Sequence, residues 1–129
     1  MFRLQEHAAH FDALAPVMTM EVVQLDNGVV INHEVTDPSK VVLFQSTCDA
    51  MGKAGEASMK MTDAQAKTEL CSFCQEMRSA GKAGARFSKG KTKTGDMMVM
   101  TSDDPKVQGQ LTALGQKCAM MAGDPQASR

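Results

Sequence analysis

The apolar positions of this chain recur every second residue in some segments and every three or four residues in others. The first spacing is typical of strands and the second of helices. Residues 18–25 and 29–36 are predicted as one hairpin, and residues 85–93 and 97–101 as another. The pattern therefore predicts four strands, joined in two pairs.

Each predicted hairpin is followed by Asp-Pro and then by a helical pattern, so residues 18–55 and 85–122 share one order of elements. An offset of 67 residues places Gly28 on Gly95 and each Asp-Pro on the other. Asp accepts hydrogen bonds from the free N–H groups of a helix start, and Pro fits its first turn. We therefore predict an α+β fold in which duplicated ββα units form one four-stranded antiparallel sheet packed with helices.

The whole chain, 1–129, is expected to form a single domain, because 129 residues suffice for one buried core. Residues 56–84 form a helical segment inserted between the two units. An apolar stripe predicts an additional N-terminal helix at residues 2–14. Thr62 is a candidate helix start, and the central helix that follows contains Cys71-x-x-Cys74, with about two turns before the first cysteine.

The turn of the first hairpin is predicted from Asp26-Asn27-Gly28. Asn and Gly tolerate the positive φ angles of a type I′ turn, which is common in two-residue hairpin loops.

The last predicted strand is apolar on both faces, because Met97 and Val99 alternate with Met98 and Met100. One face of a sheet is expected to meet the helices. The other face would then be covered by the N-terminal helix or by a second copy of the chain, so a homodimer is expected.

Composition excludes several classes of protein. The net charge is −1, and the chain has no Trp or Tyr and only 5 Phe, so nucleic-acid binding is not expected. No apolar run approaches the length of a membrane span, and no secretory signal core is found at the start, which favours a cytoplasmic protein. In that compartment the 4 Cys are expected to be thiols, ligands or redox groups. The 12 Met are interpreted mainly as core residues, although thioethers also bind copper(I).

The strongest candidate site is Cys71-x-x-Cys74, because two thiols three residues apart on a helix project to one side. Such a pair can bind a soft metal or form a redox disulfide. His7 and His10 have the same spacing and are candidate further ligands, in a zinc or copper site with Cys71 and Cys74. Packing of these residues in the core is the structural alternative.

Two further groups are weaker candidates. The first is an inward-facing set that could ligate copper or haem by residue type, although packing is the favoured interpretation: His33, Cys48, Met51, Met100 and Cys118. The second, called here the basic run, could attract an acidic partner or an anion, or could protect an edge strand: Arg78, Lys82, Arg86, Lys89, Lys91 and Lys93.

Three functions follow from these residues. The leading hypothesis is a small ligand- or metal-binding protein that uses Cys71 and Cys74. The alternatives are a thiol redox enzyme and a structural or partner-binding module in which the cysteines only pack. No catalytic triad or paired carboxylates were found in the sequence.

Overall fold

A computed structural model describes residues 13–121. Its strands are β1 (Met18–Leu25), β2 (Gly28–Val35), β3 (Arg86–Lys91) and β4 (Gly95–Thr101). Its helices are α1 (Val41–Met59), α2 (Asp63–Glu69), α3 (Ser72–Lys82) and α4 (Pro105–Met121), and short 3-10 helices cover Ala15–Val17 and Pro38–Lys40. Most of the N-terminal helix predicted for residues 2–14 falls outside the described residues.

The four strands form one sheet in the order β1-β2-β4-β3, and all neighbours are antiparallel. The two hairpins meet through β2 and β4, with Ile31 opposite Met98 at the centre of that ladder. The predicted α+β fold, a four-stranded antiparallel sheet with helices, is confirmed.

The two hairpins have the same pairing register. Adding 67 to both members of the pair Thr19 and Glu34 gives Arg86 and Thr101, which are also paired. The β2–β4 ladder maps onto itself under the same shift. The strand pairing therefore has an approximate two-fold symmetry, while a duplication of the sequence itself stays a prediction.

The core lies between the helices and one face of the sheet. The larger cluster of buried residues joins the sheet to α3 and α4 and comprises Val29, Ile31, Ala80, Met100, Val107, Leu111, Leu114 and Cys118. The smaller cluster joins the sheet to α1 and comprises Leu14, Val35, Phe44 and Cys48. The strand residues in both clusters share one face, because side chains alternate along a strand. Neither cluster includes the opposite-facing Val23, Val30 and Val99.

The predicted type I′ turn is wrong. Among the described residues only Gly84 has a positive φ, at 105°. Gly28 is instead the first residue of β2, where a Cβ atom would lie 1.9 Å from the carbonyl oxygen of Met100 on β4. At Gly95 a Cβ atom would lie 1.8 Å from the carbonyl oxygen of His33. Both glycines are therefore required by the close approach of the two central strands.

The predicted cap at Asp37 is present, because its Oδ1 accepts a hydrogen bond from the Ser39 N–H at 2.9 Å. α1 then runs to Met59, past residue 55 where the first unit was predicted to end. Gly52 lies inside this helix, where a Cβ atom would lie 3.0 Å from Lys89 Nζ. The glycine thus leaves room for a lysine from β3 to cross the helix.

Candidate functional site

The cysteine pair lies at the start of a helix rather than inside one. α2 ends at Glu69, and Leu70 and Cys71 have extended backbone with ψ angles of 141° and 165°. α3 then begins at Ser72, so Cys71 is its N-cap and Cys74 is in its first turn. The prediction that two helical turns lead into the first cysteine is therefore wrong.

Contacts around Leu70 explain the break between α2 and α3. Leu70 is buried, and its carbonyl oxygen accepts a hydrogen bond from Gln75 Nε2 at 2.7 Å. Its N–H donates to the Ala66 carbonyl at 3.0 Å, which completes the last turn of α2. The predicted helix start at Thr62 is confirmed, since Thr62 and Gln65 form a capping box. α2 and α3 are thus two helices with their own ends, joined at the cysteine pair.

The two thiols have different surroundings. Cys71 is exposed and Cys74 is half-buried. Burial is the main cause that raises the pKa of Cys74 to about 12, and a hydrogen bond to the Cys71 side chain and the charge of that side chain contribute to the same rise. Cys74 therefore keeps its proton at neutral pH. Cys71 is the N-cap residue of an 11-residue helix, and its side chain makes no capping hydrogen bond.

The proposed metal set of Cys71, Cys74, His7 and His10 is only partly described. Both histidines lie outside the described residues. Within residues 13–121, no group of three or more His, Cys, Asp or Glu side chains is arranged to hold a metal ion.

The inward-facing set is divided between the two cores. Met100 and Cys118 belong to the larger cluster and Cys48 to the smaller one. Burial is the main cause that raises the pKa of Cys48 to about 12 and that of Cys118 to about 11. Burial also lowers the pKa of His33. These thiols are thus protonated packing residues at neutral pH.

Arg78 of the basic run is an internal structural residue. It is 8% exposed, and its guanidinium donates to the carbonyl oxygens of Ser58 at 3.0 Å and Met61 at 2.8 Å. It also pairs with Asp63 at 2.9 Å. Arg78 therefore ties α3 to the end of α1 and the start of α2 and is not available to an external anion.

Four other members of the basic run also meet carboxylates of this chain. The nitrogen–oxygen distances are 3.2 Å for Lys82–Asp63, 2.9 Å for Arg86–Asp103, 3.9 Å for Lys89–Asp96 and 2.7 Å for Lys91–Asp49. Much of the positive charge of the run is therefore balanced by neighbouring acids, which weakens the case for an anion site.

Two of these lysines line a cleft of about 410 Å³ between α1 and the edge of the sheet, together with Asp49, Gly90 and Asp96. The Lys89 ammonium donates to the carbonyl oxygen of Cys48 at 2.7 Å. Asp96 is buried, and this burial raises the pKa of its carboxyl group. Sequence reasoning missed Asp49 and Asp96, since neither belongs to a motif.

The two acids of the cleft are expected to affect stability in opposite directions as the pH changes. The raised folded-state pKa of Asp96 makes its contribution fall as the pH rises above its reference value of about 3.9. The pKa of Asp49 is lowered, first by its hydrogen bond to Lys91, so its contribution is lost as the pH falls through the folded-state value. Urea unfolding from pH 3 to pH 7 should show Asp96→Asn gaining stability relative to wild type as the pH rises, and Asp49→Asn losing it. Equal pH slopes for the two variants would contradict these assignments.

Comparison of the chain with family models, with curated proteins and with solved structures gives no match. Among residues 13–121, no helix combines the length and the apolar content needed to cross a membrane. Functional inference therefore rests on the geometry of the described residues.

Proposed function

We propose that this chain is a thiol redox protein whose Cys71 and Cys74 exchange electrons with a disulfide of another molecule. The supporting observation is the position of the pair: an exposed cysteine at the N-cap of α3 and a half-buried cysteine one turn later. This arrangement gives an accessible nucleophile and a protected second thiol. Of the three functions that the sequence leaves open, this one accounts for the different surroundings of the two thiols.

In the proposed reaction, the Cys71 thiolate attacks one sulfur of the substrate disulfide, and the other substrate sulfur leaves as a thiolate. The product is a mixed disulfide between Cys71 and the substrate. Cys74 then gives its proton to water and attacks Cys71 Sγ, which releases the second substrate sulfur as a thiolate and forms the Cys71–Cys74 disulfide. Two electrons pass from the protein to the substrate. Once Cys71 is in the mixed disulfide, it no longer raises the pKa of Cys74, and burial is the cause that remains.

Single cysteine variants test the two roles. Reduced Cys74→Ser, treated with glutathione disulfide, is expected to accumulate a mixed disulfide at Cys71. Cys71→Ser should react at least about a hundredfold more slowly, because only protonated, partly or fully buried thiols remain among the described cysteines. Wild type should form one internal disulfide without retained glutathione. Peptide mass spectrometry after alkylation assigns each product, and Cys48 and Cys118 serve as unreacted internal controls.

Equal trapping by Cys71→Ser and Cys74→Ser would contradict these roles, and so would a wild-type protein that forms no internal disulfide in oxidised glutathione. The leading sequence hypothesis, zinc or copper at Cys71 and Cys74, makes a different prediction at the same site. It predicts about one equivalent of metal by elemental mass spectrometry. It also predicts that removing the metal uncovers both thiols to alkylation.

Two further features belong to the proposal. A cytoplasmic location would keep the pair reduced between turnovers. A homodimer would cover apolar sheet surface, since Val23, on the face opposite the helices, is 42% exposed.

A further inference from the structure

The two edge strands of the sheet are equivalent in pairing but differ in chemistry. β1 and β3 are the outer strands, and the 67-residue shift that relates the hairpins also relates their inward-facing side chains. It places Met20 on Phe87, Val22 on Lys89 and Gln24 on Lys91. The same backbone position is therefore apolar or neutral on β1 and mostly basic on β3.

The hydrogen bonds between neighbouring strands show which residues of β1 and β3 direct their backbone N–H and C=O groups away from the sheet. Just before β1, the Val17 carbonyl accepts a hydrogen bond from the Thr36 N–H at 2.7 Å. Val17 and Thr36 continue the residue pairing of β1 with β2, so this bond shows which residues of β1 bond to β2. Odd-numbered residues of β1 therefore bond to β2, and even-numbered residues direct their N–H and C=O groups outward. Just after β3, Thr92 donates to Gly95 at 3.2 Å, so odd-numbered residues face outward on that strand. Within residues 13–121, these outward groups of Met20, Val22 and Gln24 on β1, and of Phe87, Lys89 and Lys91 on β3, pair with no strand.

β3 has features that discourage further strand pairing. Three of its six residues, Arg86, Lys89 and Lys91, are basic. The side chains of Lys89 and Lys91 reach back to Cys48 and Asp49 of α1. Basic residues directed inward at an edge strand hinder the docking of another strand.

β1 lacks these features. It pairs with β2 over eight residues without a bulge, and Glu21 is its only charged residue. It contains no Pro, Gly, Lys or Arg. Val23 and Leu25 on its outer face are 42% and 38% exposed. A long, regular edge of this kind readily accepts another strand.

We propose that β1 pairs antiparallel with β1 of a second copy of this chain, so that two sheets join into one of eight strands. The outward groups of β1 can pair with an extended strand, whereas the other edge within residues 13–121 is protected by its basic residues. Pairing of β1 with itself about a two-fold axis closes at a dimer, whereas β1–β3 pairing would continue indefinitely. This inference rests on the proposed homodimer and is independent of the redox proposal.

Most of β1, Met18–Leu25, stays paired with itself only when the two-fold axis lies at its middle, at Glu21 or Val22, and charge selects between these two registers. A two-fold axis at Glu21 would place two carboxylates directly opposite each other, which is destabilising. An axis at Val22 keeps the outward-facing residues paired and puts Glu21 opposite Val23 of the partner subunit. We therefore place the two-fold axis at Val22.

Amide exchange tests this interface residue by residue. Raising the concentration of the full chain should slow hydrogen exchange at the even-numbered amides of β1 (Met20, Val22 and Gln24) by about tenfold or more. The equivalent outward amides of β3 (Phe87, Lys89 and Lys91) should exchange at an unchanged rate. They are matched controls within the same molecule.

Light scattering measures the molecular mass of the wild-type protein and of two variants in solution. Val23→Glu should be a folded monomer, with an unchanged circular dichroism spectrum, because it places a second carboxylate directly opposite Glu21 of the partner subunit. Val42→Glu, at the 79%-exposed Val42 of α1, is the matched control and should keep the wild-type dimer mass. A monomeric wild type would overturn both the homodimer and the interface. A dimer whose β1 amides exchange as fast as in the monomer would overturn the β1 interface and leave the homodimer standing.

Discussion

Replacing Gly28 by alanine is expected to lower the free energy of unfolding by about 4 kcal/mol or more, at the upper end of single-substitution effects. The new Cβ atom would lie 1.9 Å from the carbonyl oxygen of Met100 and 2.8 Å from Thr101 Cα. Both are backbone atoms of β4, so relief of the clash requires the central ladder to open. Chemical denaturation of the purified variant measures the loss.

Gly95→Ala should have a similar effect, because its Cβ atom would lie 1.8 Å from the His33 carbonyl oxygen. Gly90→Ala is the matched control, since this glycine is also in a strand but a Cβ atom there meets nothing within 4 Å. Its effect should stay within about 0.5 kcal/mol. Comparable stability of Gly28→Ala and Gly90→Ala would show that β2 and β4 are not as close as described.

Arg78→Met is expected to cost about 3 kcal/mol of folding free energy. The substitution retains an apolar chain of similar length but removes every guanidinium donor. The carbonyl oxygens of Ser58 and Met61 then lose their charged hydrogen-bond donor. Hydrogen bonds from charged groups contribute about 1.5 to 3 kcal/mol each, and the connection between α1, α2 and α3 depends on two of them. Urea unfolding monitored by circular dichroism measures the change.

Lys82→Met is the matched control, because Lys82 pairs with the same carboxylate of Asp63 but its side chain is 44% exposed. An exposed ion pair of this kind contributes less than about 1 kcal/mol. Equal losses for the two variants would mean that the ion pair with Asp63, and not the buried carbonyl contacts, provides the stability.

Local signals in the sequence predicted the framework of the fold well. Alternation located the strands, and the caps at Asp37 and Thr62 located two helix starts, because these signals act between residues close in the chain. The alignment of Gly28 with Gly95 gave the offset that relates the two hairpins. A register shared by two hairpins can be read from matched turns, since each turn fixes the pairing of the strands beside it.

The reason for the two glycines could not be read from the sequence. Asn27-Gly28 has the composition of a type I′ turn, but no positive φ occurs there. The actual constraint is Met100, a residue distant in sequence. Contacts of this kind become visible only when the order of the strands is known.

The candidate site was located by its motif but misplaced in its helix. Helical spacing continued across Leu70, so the sequence predicted one helix where the structure has two. The break depends on the burial of Leu70 and on the side chain of Gln75, which are properties of the packed molecule. The structure therefore places Cys71 at an exposed helix N-terminus and not in a helix interior.

The β2–β4 ladder is the contact through which the sheets of the two ββα units associate. With its two-fold pairing around Ile31 and Met98, this ladder resembles a subunit interface enclosed in a single polypeptide. Residues 60–84 act as the tether that keeps the second ββα unit at a high effective concentration near the first. A backbone cut at Met61, between α1 and α2, would turn that contact into a bimolecular equilibrium. The folded fraction would then depend on protein concentration.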